Sequence, residues 1–383
     1  MQKASKFTII TLLLNSSLTI MVGAVIAPVL PSISKNLQFG FNSGLLVTLP
    51  SLGVILFSPI IGKLINKLGA FKLLMLGMLP YAFFGFIGVY LTNNYMLMLD
   101  RLFLGGACVA IQVSVTTLIA ELFKGKERLK LIAWQGVAIE LGGVIFLSLG
   151  GYLGEQKWSY PFYIYLIAIL FFVFSWFTLP RTRLQQNVND LTEIRKNSKD
   201  LFPIMLSSFF SMAIFFVCFI SLPEYLLKKF NFSESSTGYL MSFISLIAVI
   251  VASQLVKISN YISSRNLVAL GFLSFSLGYV LFATTSLSEI MYVGAIFIGI
   301  GFGFTIPILN HLTIEISTPL TRGKNLGYYS MMVFAGQFAA TFIEFITNSE
   351  EINFLITSGI GIILSLVVYL LFIRTKNSIQ HRV

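Results

Sequence analysis

Two ionisable side chains stand inside long apolar stretches of this sequence. Glu140 falls nine residues into the run that begins near 131, a depth of roughly 14 Å for a helix rising about 1.5 Å per residue. An intramembrane carboxyl at such a depth can take up a proton at one face and lose it at the other, or pair with an organic cation. A structural hydrogen bond to a neighbouring helix is the alternative. Arg101 lies some seven residues inside its own run, roughly 10 Å from the outer end by the same rise. A guanidinium keeps its proton, so its part would be to bias a nearby acid or to hold an anionic or carbonyl group. Reaching out to the polar interface is the alternative. Asp100 immediately precedes it, but side chains at i and i+1 do not face each other on a helix, so the spacing implies no direct pair.

Uncharged polar groups accompany them. Asn15, Gln112, Gln135, Asn310 and Gln337 could line a central cavity or bond between helices, and His311 adds an imidazole. Glu121, Glu224, Glu315 and Glu344 stand near the ends of apolar runs, where solvation is the default. Cys108 and Cys218 lie in separate apolar runs, which gives neither a disulfide framework nor a Cys/His cluster, and no metal is expected. Gly125-Lys126 is followed by Glu127 and Gly323-Lys324 by Asn325, so no phosphate-binding G-x-x-x-x-G-K-[ST] loop is formed. Bound ATP is therefore not the expected energy source, and no cofactor is expected. Gly299-Ile300-Gly301-Phe302-Gly303 stands within an apolar run and reads as packing or a kink, not a dinucleotide loop.

The elements that must position these groups are set by composition. Of 383 residues 56% are hydrophobic and 11% charged, with a mean hydropathy of +0.86, whereas a water-soluble fold carries about 25% charged residues. A soluble two-domain enzyme, a disordered chain and a fibre are excluded, and the solvent is lipid. The net charge of +11 lies in short hydrophilic gaps rather than along one stripe, which argues against nucleic acid as a partner. A bilayer core needs about 20 apolar helical residues to cross it. By that measure the spans fall near 7–34, 44–65, 72–92, 94–121, 131–154, 161–179, 202–227, 236–258, 267–286, 289–315, 325–347 and 353–373. The runs are continuous, unlike the alternating segments of an outer-membrane barrel. The first is too long for a signal peptide and carries on through Pro28 and Pro31, so it reads as a retained helix.

Orientation follows from Lys and Arg. With the N-terminus inside, only Lys35, Lys157, Lys228 and Lys229 fall outside and Arg101 within a span, while the remaining Lys and Arg are cytoplasmic. Both termini are then expected in the cytoplasm of a multi-pass protein of the plasma membrane. The polar stretch 181–200 divides the chain into two sets of six spans, 1–180 and 201–383. An offset of 194 residues lays Phe7 on Leu201, Ala133 on Gly327, Lys63-Leu64-Ile65-Asn66 on Lys257-Ile258-Ser259-Asn260, and Arg128 on Arg322. The shared register predicts an all-α membrane fold of twelve helices in two pseudo-symmetric bundles.

Three motifs give the chain a resemblance to the major facilitator superfamily. Gly62-Lys63-Leu64-Ile65-Asn66-Lys67-Leu68-Gly69, read as the loop between spans two and three, is similar to the family's G-x-L-x-D-R-x-G signature. Arg101-Leu102-Phe103-Leu104-Gly105-Gly106-Ala107 resembles the R-x-x-x-G-x-(small) motif of proton-coupled members, and Pro28-Val29-Leu30-Pro31 the P-x-x-P of the drug-efflux branch. The resemblance implies a cytoplasmic gating element carrying Gly62, Asn66, Lys67 and Gly69. The chain departs from the pattern at Asn66, where the signature has an acid. It departs again at Gly142-Gly143 and Gly150-Gly151, which lack the proline of the antiporter motif in span five, and at Asn15, Ser16, Ser17 and Thr19, which hold no acid.

Physics and resemblance together predict a secondary transporter, not an enzyme. It is expected to work as a monomer by alternating access, exporting a lipophilic or cationic small molecule in exchange for protons, with the proton gradient as energy source. Export of an endogenous metabolite such as a siderophore, or import of a nutrient, would use the same architecture. A non-transporting receptor would need a larger hydrophilic segment than this sequence contains.

Overall fold

The computed structural model describes residues 5–181, 198–318 and 321–380, and among them there are helices and connecting turns but no strand. In hydrocarbon a backbone must satisfy its own hydrogen bonds, and a helix does so within one segment. Among the described residues twelve helical segments are long and apolar enough to cross a membrane: Lys6–Asn36, Leu45–Leu68, Ala70–Tyr90, Asn94–Leu122, Lys130–Gln156, Tyr160–Thr178, Leu201–Phe230, Glu234–Leu255, Ser264–Thr284, Ser288–Glu315, Arg322–Phe345 and Glu350–Leu370. They are called spans one to twelve below. Each boundary lies within a helical turn of the one expected from hydropathy.

Two local features differ from the sequence reading. Span one is not one continuous helix. Its first helix, Lys6–Ala24, gives way to a 3₁₀ turn at Ala27–Val29, and a second helix runs Leu30–Asn36. Pro28 has no N–H to give and its ring crowds the preceding turn, while Pro31 stands in the first turn of the new helix, where a missing N–H costs nothing. The second difference is the segment 62–69. Helix Leu45–Leu68 runs through Gly62, Lys63, Asn66 and Lys67, and the whole connection to span three is Gly69, with φ of 81°. A turn made in one residue needs that left-handed backbone, which glycine adopts without a Cβ clash. The expected gating loop is therefore the exposed last turns of a helix plus one glycine.

Contacts divide the chain into two compact units: Met1–Val188 with Leu226–Ser242, and Asn189–Tyr225 with Phe243–Val383. The two repeat each other's internal packing. In the first unit Gly105 of span four lies on the Pro50 carbonyl of span two, with no room for a Cβ; in the second, Gly299 of span ten lies on the Ile244 carbonyl of span eight. Both partners are displaced by the same 194 residues. Gly77 against Ala107 and Ala110, and Gly271 against Gly301 and Phe304, repeat that register between spans three and four and between spans nine and ten. Lipid offers helices no hydrophobic drive to associate, so small residues that bring backbones together carry the packing. Hydroxyl groups add to it. Tyr81 donates to the Leu18 carbonyl at 2.6 Å, and Tyr279 donates to the Ile214 carbonyl in the other unit.

Candidate functional site

Span five has three distinct faces, and they decide what Glu140 can do. Trp134, Val137, Leu141, Ile145, Leu149 and Tyr152 form one stripe, each 42–54% exposed. From Trp134 to Tyr152 this stripe is about 27 Å long, close to the roughly 30 Å hydrocarbon core, with an aromatic residue at each end as an interface favours. This is the lipid face. A second face is buried against span one, with Gly142 beside Ser17 and Gly150 on the Val25 carbonyl.

Glu140 is on neither. It is set about 120° around the helix from Trp134, in line with Leu147 and Gly151. Toward the far end of the helix those two residues meet Gly238, part of the Leu226–Ser242 segment that belongs to the same unit. At the level of Glu140 the stripe is only half-buried. No hydrogen bond or ion pair joins the carboxyl to another described residue, so the structural bond envisaged as an alternative is not made. An ionisable group at mid-bilayer costs about 2.5–3.5 kcal/mol on insertion scales, which makes an unpaired one a functional candidate.

Arg101 is held quite differently. Its Nη2 and Nε donate to Asp100 Oδ2 at 2.7 and 3.0 Å, and Nη2 also donates to the Phe84 carbonyl at 2.8 Å. The rings of Phe162 and Tyr165 lie 5.5 and 5.8 Å from Cζ. The residue is 1% exposed and Asp100 4%. The spacing implies no such pair, but a long arginine side chain can fold back on its neighbour although the two Cβ atoms diverge. Space for the fold comes from Gly88, where a Cβ would strike the guanidinium. The acceptor comes from the end of span three, which passes into a 3₁₀ turn at Gly88–Tyr90 and leaves carbonyls without helical partners. The guanidinium is enclosed by protein and does not reach the interface. Asp100 Oδ1 and Arg101 Nη1 have no partner.

The remaining polar candidates are spread through the helices. Asn15 is fully buried and its Nδ2 donates to Ser175 Oγ at 2.7 Å, tying span one to span six. Gln135 is buried and donates to Thr116 Oγ1 at 3.1 Å, tying span five to span four. Gln337 is buried, Gln112 and Asn310 are half-buried, and His311 is exposed. Gly62, Asn66 and Lys67 are exposed and Gly69 is buried. Sequence reasoning missed Tyr81 and Tyr165, whose hydroxyls donate to the Leu18 and Val22 carbonyls of span one. Their partners are backbone atoms, which leave no mark in a sequence.

A twelve-span helical protein with small-residue crossings repeated in two units, and with few charged groups inside its spans, has the architecture of a membrane carrier. The model of the Major Facilitator Superfamily matches residues 12–341 and 204–381, and the chain belongs to that family. It is 25% identical to multidrug resistance protein 2 of Bacillus subtilis over 281 residues, 69% of this chain and 70% of that one. It is 31% identical to the quinolone resistance protein NorA of Staphylococcus aureus over 156 residues, 40% of each chain. Among solved structures, that of the nucleoside transporter NupG covers 96% of this chain and is itself covered to 99%, with a TM-score of 0.74 at 16% identity. That of the peptide transporter POT in complex with sulfate has a TM-score of 0.78 at 13% identity, covering 97% and 96%. At those identities the likeness is one of fold. The protein is a multi-pass membrane transporter and not an enzyme.

Proposed function

We propose that this transporter exports a lipophilic or cationic small molecule in exchange for protons, and that Glu140 is the group on which the two exchange. The observation that carries the reading is an unpaired carboxyl, set away from lipid and deep within span five. One carboxyl can hold a proton or attract a cation, and its two states then favour different partners. Resistance proteins among the relatives support the drug-efflux branch. On this reading Arg101 and Asp100 are a positioning pair that fixes the ends of spans three, four and six. The segment from Gly62 to Gly69, with Gly62, Asn66 and Lys67 exposed, acts at the cytoplasmic gate. The halves 1–180 and 201–383 move about the linker 181–200, with both termini in the cytoplasm and the protein a monomer in the plasma membrane.

Transport of a lipophilic cationic dye into everted vesicles tests this. With an imposed proton gradient, Glu140→Gln is expected to lower the initial rate at least about a hundredfold, the scale of losing a proton-transfer group, while insertion and expression stay normal. An unchanged gradient-driven rate would remove Glu140 from the mechanism.

A further inference from the structure

A lysine resting on an aromatic ring one turn ahead occurs at the start of span five and again at the start of span eleven. Lys130 Nζ lies 6.0 Å from the Trp134 ring centroid, and Lys324 Nζ lies 5.7 Å from that of Tyr328. The two pairs are related by the same 194-residue register that relates the helix crossings. Each heads an exposed apolar stripe. In span five it is the stripe from Trp134 to Tyr152; in span eleven it runs through Tyr328, Met332 and Phe342. Lys130 and Lys324 therefore sit one turn, about 6 Å, beyond the apolar end of a lipid-facing surface, at the depth of head groups.

Among the described residues neither ammonium has a counter-ion, and Glu127, three residues before Lys130, forms no ion pair with it. The surroundings add positive charge, with Lys124 and Arg128 ahead of span five and Arg322 at the head of span eleven. A cation on an aromatic face, without a protein anion, beside acyl-chain contacts, matches the chemistry of a phospholipid whose head group is anionic: phosphate on the lysine, chains along the stripe.

We infer that Lys130 with Trp134 and Lys324 with Tyr328 form two repeat-related sites for anionic phospholipid. The inference is independent of cargo and of Glu140, since neither lysine lies on the stripe that carries that carboxyl.

Native mass spectrometry of the purified full-length protein, titrated with phosphatidylglycerol or phosphatidylcholine, tests it. The wild type is expected to retain phosphatidylglycerol in preference to phosphatidylcholine. Lys130→Gln and Lys324→Gln should each weaken retention at its own site about fivefold, the scale of one lysine near a charged surface, so that each single variant keeps one preferentially held lipid and the double variant keeps neither. Lys130→Arg with Lys324→Arg should keep it. Retention by the wild type should also fall in high salt, a measurement that needs no variant to fold. Equal retention of the two lipids, indifference to salt, an unchanged double variant, or displacement by millimolar inorganic phosphate would each overturn the proposal.

Discussion

Arg101 shows how much a single buried charge depends on its cradle. Its Nε and Nη2 are held by the neighbouring carboxylate and a helix-end carbonyl and its face by two rings of span six, while Nη1 has no partner. Removing one partner of such a pair strands the other, at about 3–5 kcal/mol, whereas replacing both by apolar groups can cost little. Arg101→Met is therefore expected to lower the thermal unfolding temperature in detergent sharply, and Asp100→Leu combined with Arg101→Met to recover much of it. An Arg101→Met protein as stable as the wild type would mean that the pair carries no structural load. Which residues are ionisable and deep was legible from sequence, because hydropathy reports depth. The Asp100–Arg101 bond was not, because helical spacing describes where Cβ atoms point and says nothing of where a flexible side chain ends. Asn15 makes the same point: its residue type suits a cavity, yet packing seats it against Ser175.

Helices and their crossings were predictable to different degrees. Span positions follow from continuous apolar runs and held to within a turn, and the break in span one falls where Pro28 demands it. The misreading at 62–69 came from treating Gly62 as a turn residue. A glycine inside a helix costs only about 1 kcal/mol relative to alanine, and the exposed end of a span tolerates it. At crossings the requirement is stricter. Gly105→Leu and Gly299→Leu put a side chain against a backbone carbonyl of the facing helix, and overpacking of this kind costs about 1–3 kcal/mol or more. Both variants are expected to lose the monodisperse peak in size-exclusion chromatography from detergent. Gly327→Ala, with open space around it, should keep that peak. A normal profile for Gly105→Leu would show that spans two and four need not approach so closely.

Over the whole molecule the repeat holds at the crossings of spans two to four and eight to ten and is broken in charge. The register that carries Gly105 onto Gly299 carries Asp100 onto Gly294, Arg101 onto Ala295 and Glu140 onto Phe334. The backbone scaffold is thus duplicated, while these deep ionisable groups belong to one half. That asymmetry was present in the sequence, but only the paired helix contacts fix the register firmly enough to read it. On the proposed reading coupling falls on one carboxyl, which gives up its proton when a cation takes its place. The most direct measurement is proton release when a lipophilic organic cation binds to the purified, weakly buffered protein. The wild type should release about one proton per cation bound and Glu140→Gln none. Cation binding without proton release in the wild type, or equal release in both proteins, would contradict the account.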